Sequence, residues 1–228
     1  MTGLERMRVT TTQRMWVLAL ASLSVAALTA GCGPKFGTML YFMGMGQGQK
    51  TAAEFQLPKK PLLILVDDDY DLIHPPIARD ALAEALTQEL RDHDLADKVT
   101  SGEELAKIRQ NTPDFDKRGA REVGRMVKAD VVLWLKVVRF TLPDNLDAAM
   151  VPCFFGVSLK VLDAKADKRE DVCLWPKERE GKTVEAKISP HDLQACKNVR
   201  EAHTLVAKTL AAEVARLFYE YETEEKPK

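Results

Sequence analysis

Asp67-Asp68-Asp69-Tyr70-Asp71, with His74 close behind, is the stretch of this sequence that packs the most ligand-type side chains together. Crowded carboxylates suit a hard cation such as Mg²⁺ or Ca²⁺, which takes oxygen ligands. The stretch follows an apolar run, the place where ligands of open α/β sheets bind. It lacks EF-hand spacing, however, and no second acidic motif follows Phe140. The simpler reading is a solvated loop whose negative charge favours the N-terminus of the next helix. His93 and His203 fall in helical patterns and read as polar surface positions, whereas His191 stands at a helix start. None has a Ser or Cys partner in a GxSxG elbow, and there is no phosphate loop. Lys177-Glu178-Arg179-Glu180 reads as a solvated turn. The sequence carries no catalytic signature and calls for no cofactor.

The other reactive residue is Cys32. Arg6, Arg8 and Arg14 precede an uncharged run from Met15 to Ala30, which ends in small residues. A confident spanning helix needs about 20 apolar residues. A basic lead, a short apolar core and a small-residue end instead make a secretory signal. Leu28-Thr29-Ala30-Gly31-Cys32 resembles a lipobox, the motif of bacterial lipoproteins, with Thr29 where Leu is usual. The resemblance implies a diacylglycerol thioether on Cys32, cleavage between Gly31 and Cys32, and acylation of the new amine. Two or three acyl chains anchor a protein stably to a membrane. Gly33 stands where Asp would retain an enterobacterial lipoprotein in the inner membrane. The expected place is therefore the outer membrane, facing the periplasm.

Loss of residues 1–31 removes three arginines and one glutamate, so 33 basic and 34 acidic residues become 30 and 33. That balance, about −3, argues against a nucleic-acid partner, whose binding domains are strongly basic. Cys153, Cys173 and Cys196 remain. In an oxidising compartment they allow one disulfide and a leftover thiol. The expectation is buried apolar thiols, because no metal-site spacing is present.

Residues 32–60, with Gly33, Gly37, Gly44, Gly46 and Gly48, read as a lipidated cysteine and flexible tether. Phe36–Met43 is apolar enough to dip into the bilayer interface or, as expected here, to pack on the domain. A domain over 61–222 follows, then a charged tail over 223–228. Leu62-Leu63-Ile64-Leu65-Val66 is an unbroken apolar run, the mark of a strand buried on both faces. Ile77, Ala81, Leu82, Ala85, Leu86 and Leu90 predict an amphipathic helix. Lys98–Thr100 predicts a brief strand, and Ser101-Gly102-Glu103-Glu104 is a capping box opening a short helix. A further helix carries Ala120, Val123 and Val127 inward. Val131–Phe140 is the long central strand. Phe155, Val157, Leu159 and Val161 alternate as a strand with one wet face, and Val172–Trp175 returns as its hairpin partner. One long final helix starts at Ser189-Pro190, with Ala202, Val206, Leu210, Val214, Leu217 and Tyr221 inward. The predicted fold is α/β, a mixed sheet with helices packed on it in the order β-α-β-α-α-β-β-β-α.

That order, the phrase Glu122-Val123-Gly124-Arg125-Met126-Val127-Lys128-Ala129-Asp130-Val131, and the strand end Val161-Leu162-Asp163 resemble envelope lipoprotein domains related to the TolB amino-terminal domain and to CsgG. The whole chain also resembles uncharacterised planctomycete-type lipoproteins. The resemblance implies a non-enzymatic envelope module that docks on other proteins. The competing reading is a divalent-cation-binding protein or metal-dependent enzyme using Asp67, Asp68, Asp69, Asp71 and His74.

Overall fold

Five apolar residues in a row leave a strand no polar face, and Leu62–Val66 is accordingly buried throughout in the computed structural model. The structure describes residues 49–143, 145–146 and 150–223. Gly31, Cys32 and Phe36–Met43 lie outside that range. Lys50–Tyr221 form one compact unit. Its sheet strands are β1 (Leu62–Asp67), β2 (Val131–Thr141), β3 (Cys153–Asp163), β4 (Cys173–Trp175) and β5 (Lys182–Ile188). Its helices are α1 (Ile77–Asp92), α2 (Gly102–Asn111), α3 (Ala120–Met126), α4 (Pro190–Gln194) and α5 (Val199–Ala215). Among the described residues no helix is long and apolar enough to cross a membrane.

β1 runs parallel to β2, β2 antiparallel to β3, and both β4 and β5 pair antiparallel with the far side of β3. The mixed α/β sheet expected from the sequence is therefore what forms. The main core lies under one face, where α1 and α5 pack. Leu82, Leu86 and Leu90 of α1 and Val206, Leu210 and Val214 of α5 meet Leu133, Leu135, Phe155, Val157 and Leu159. The second face has a smaller core at one end only. There Val123 and Val127 from and after α3, with Phe115, cover Leu63, Leu65, Val132 and Leu162.

Several local expectations change. Lys98–Thr100 makes a single parallel bridge to Leu62, with the Leu62 amide donating to Lys98 O and the Thr100 amide to Leu62 O. Strand β5 was not anticipated. Its signal is the alternation Val184, Ala186, Ile188 against Thr183, Glu185, Lys187. The single final helix is broken into α4 and α5, because Asn198 caps a new start by accepting from the Glu201 amide at 2.9 Å. Tyr221 lies beyond α5 in an extended segment. Phe55 and Leu57, within the stretch read as spacer, pack against the main core. The Phe55 amide donates to Leu217 O.

A bulge between Val137 and Arg139 resets the phase of β2. Strict alternation from Val137 would turn Arg139 into the main core and Phe140 away from it. The extra residue leaves Val138 and Arg139 exposed and returns Phe140 inward, edge-on to Phe155 at 5.3 Å.

Candidate functional site

The acidic loop leaves the C-terminal end of β1 and folds back on itself through its own carboxylates. Asp68 accepts from the Leu72 and Ile73 amides, both at 2.9 Å, while Ile73 is driven into the core. Asp71 adopts a left-handed backbone, φ 55°, which Asp tolerates better than most residues, and its carboxylate meets His74 Nε2 at 2.5 Å. Asp67 accepts from Trp134 Nε1 at 3.3 Å. Asp69 meets the Lys136 ammonium at 2.5 Å.

Electrostatics divides these acids. Burial pushes the Asp67 carboxyl above the usual carboxylate range, and a hydrogen bond with Asp69 adds to the rise. The Lys136 hydrogen bond holds Asp69 below that range, and Asp69 in turn raises Lys136. Of Asp67, Asp68, Asp69, Asp71 and His74, Asp67 and Asp69 meet each other, whereas Asp68 turns to the Leu72 and Ile73 amides and Asp71 to His74. Among the described residues no three His, Cys, Asp or Glu side chains are grouped so as to hold a metal ion.

The same end of the sheet carries a larger feature. The helices of the second face stop short, leaving side chains of four strands uncovered in transverse rows. Directly opposite residues share a face, so Asp67, Lys136, Ser158 and Thr183 form one row by register. Arg139, Gly156 and Glu185 form the next, and Thr141, Phe154 and Lys187 the last. A side chain at Gly156 would stand 3.4 Å from Arg139 Cβ and 3.5 Å from the Glu185 carboxylate. Across Gly156, Arg139 meets Glu185 at 3.1 Å. The Arg139 guanidinium also lies over the Phe154 ring, 3.9 Å from its centroid, and Lys136 lies 5.3 Å from Tyr70. Val138 is 46% exposed beside them, and Tyr70, Met150 and Val151 stand exposed at the same end of the sheet. Rings and cations stacked in the open, with apolar side chains between, have the composition of protein-binding surfaces.

Sequence reasoning did not single out Lys136, Val138, Arg139, Phe154, Glu185 or Lys187. Only the bulge, the unanticipated β5 and the short reach of α2 and α3 bring them onto one open surface.

The remaining candidates are structural. Cys153, Cys173 and Cys196 are free thiols; Cys153 is buried as expected, which pushes it up to about 12, whereas Cys173 and Cys196 are only half-buried. His203 corrects the surface reading: it is 2% exposed and stacked on Phe140 at 5.4 Å. The reason is its place among Ala202, Val206, Ala207 and Leu210 on the inward stripe of α5. Its Nδ1 has no hydrogen-bond partner among the described residues, and burial lowers its pKa. His93 instead stacks on Tyr219, with centroids 3.7 Å apart.

No family model matches the chain, and no curated protein matches it. Solved structures give loose likenesses. The PelC dodecamer from Paraburkholderia phytofirmans is 11% identical over 75% of this chain and 96% of that one, with a TM-score of 0.39. The hypothetical protein CT253 from Chlamydia trachomatis is 16% identical over 70% and 96%, with a TM-score of 0.43. Lipoprotein GNA1162 from Neisseria meningitidis is 12% identical over 68% and 98%, with a TM-score of 0.39. Likeness at this level carries no conclusion about function.

Proposed function

We propose that this chain is a lipid-anchored protein of the bacterial cell envelope, and that its α/β domain is a non-enzymatic module that binds another envelope protein. The observation that carries the binding role is the uncovered end of the second sheet face. An antiparallel sheet can leave a polar face in water, but here exposed Val138 and Arg139 and half-buried Phe154 interrupt that face, at the same end of the sheet as exposed Tyr70, Met150 and Val151. Tyr and Arg anchors of this type dominate binding energy where a partner excludes water from them. The anchor itself is read from the basic lead, the apolar core and Ala30-Gly31-Cys32. Lipidation at Cys32, retention on the periplasmic side of the outer membrane and docking through the open face together describe a tethered assembly factor.

The cation reading draws no support from the geometry. Asp67, Asp68, Asp69 and Asp71 each already answer a donor of the same chain.

A photo-crosslinking side chain placed at Val138 in intact cells tests the binding role. The expected result is a discrete crosslinked species that disappears with Arg139→Glu. Crosslinking no stronger than from another exposed position, such as Gln110 on α2, would contradict it.

A further inference from the structure

We infer that β5 joins the β5 of a second copy of this chain edge to edge, antiparallel about Ala186. Among the described residues nothing pairs with the outer side of β5. An unpaired edge is a template for another strand, which proteins discourage by placing lysine there. Here each lysine has a possible answer. Val184, Ala186 and Ile188 face the main core, whereas Thr183, Glu185 and Lys187 are exposed on the other face. Antiparallel pairing about Ala186 sets Glu185 opposite Lys187 of the second copy, and Lys187 opposite the second copy's Glu185. Val184 then lies opposite Ile188 of the second copy, and Ala186 opposite its own counterpart.

Neighbouring registers fail for stated reasons. A pairing centred on Glu185 opposes two carboxylates, and one centred on Lys187 opposes two ammoniums; like charges directly opposite destabilise a pair. A one-residue slip sets apolar side chains against the charged face. The ends are bounded as well. Lys182 is held by Glu54 at 2.7 Å, and Pro190, which has no N–H to give, opens α4.

The charges already present favour this register. Glu185 has Arg139 on its inner side. Lys187 contacts only a ring, Phe154 at 5.8 Å, and has no carboxylate partner among the described residues. Pairing supplies one, and extends the open-face row from Arg139 through Glu185 to Lys187 of the second copy. The interface is isologous, as a two-fold dimer requires. It rests on the sheet edge alone and stands whether or not Cys32 is lipidated.

The test is sedimentation equilibrium on the full chain in detergent micelles. The unaltered protein should dimerise, Glu185→Lys and Lys187→Glu should each weaken dimerisation at least about tenfold, and the double exchange should restore most of it, because opposed charges are regained. Thermal melts check that each variant keeps its fold. Amide exchange in the unaltered protein needs no variant: those Val184–Ile188 amides that point away from β3 should gain protection as concentration rises. A monomer at every concentration, a dimer indifferent to the single exchanges, a double exchange no better than the singles, or exchange independent of concentration would each overturn the inference.

Discussion

The Lys136 ammonium lies 2.5 Å from the Asp69 carboxylate, on the strand next to the one from which the acidic loop departs. With Asp68 bound to two amides and Asp67 to Trp134, that contact makes the loop a set of local braces. Asp68→Ala should cost about 1.5–3 kcal/mol, the worth of hydrogen bonds to a charged group. Asp69→Asn should cost less than about 1 kcal/mol, as partly exposed ion pairs do. Neither variant should alter any response to Ca²⁺ or Mg²⁺, since the unaltered protein should show no ion-dependent rise in melting temperature. Calorimetry that finds micromolar affinity, lost in both variants, would reverse this.

Much of the fold was legible because burial writes a strong period. The run Leu62–Val66, the leucines of α1 and the alternation Phe155, Val157, Leu159, Val161 all fell where expected. What escaped depends on phase or on coverage. The extra residue at Val138 is invisible to a two-residue period, and in β5 the apolar side is diluted by Ala186. His203 was misread by type rather than by spacing. The acidic residues were located correctly, but which donor each would meet depends on the pairing of β1 with β2. The open face could not be read at all, because exposure is set by where α2 and α3 end.

Gly124 explains part of the phrase that precedes β2. A Cβ there would sit 2.4 Å from Val132 Cγ2 and 3.2 Å from Ala164 Cβ, both in the smaller core. Gly124→Ala gains up to about 1 kcal/mol of helix propensity. The overlap should outweigh it, leaving a net loss of about 1–2 kcal/mol in denaturant unfolding. Adding Val132→Ala should relieve part of that loss, a coupling visible in a double-mutant cycle.

His203 should make stability depend on pH in one direction. Burial lowers its folded pKa below the ordinary value of 6.5, so the unfolded chain binds the proton more readily. Its contribution is full above 6.5 and is lost as pH falls through the lower folded value. Melting temperature should therefore decline as pH falls from 6.5 to the lower folded value, and His203→Leu should flatten the decline. The variant should also keep its stability at neutral pH, because it removes a buried Nδ1 without a partner.

Intact mass of the membrane-extracted chain, set beside that of Cys32→Ala, tests the tethered role most directly. The unaltered protein should begin at Cys32 and carry the mass of a diacylglyceryl group with an N-acyl chain, and should stay with the membrane after high-salt washing. Cys32→Ala should remain an uncleaved precursor or become soluble. A mature chain without added lipid mass, or a shortened Cys32→Ala chain that still resists washing, would contradict lipid anchoring.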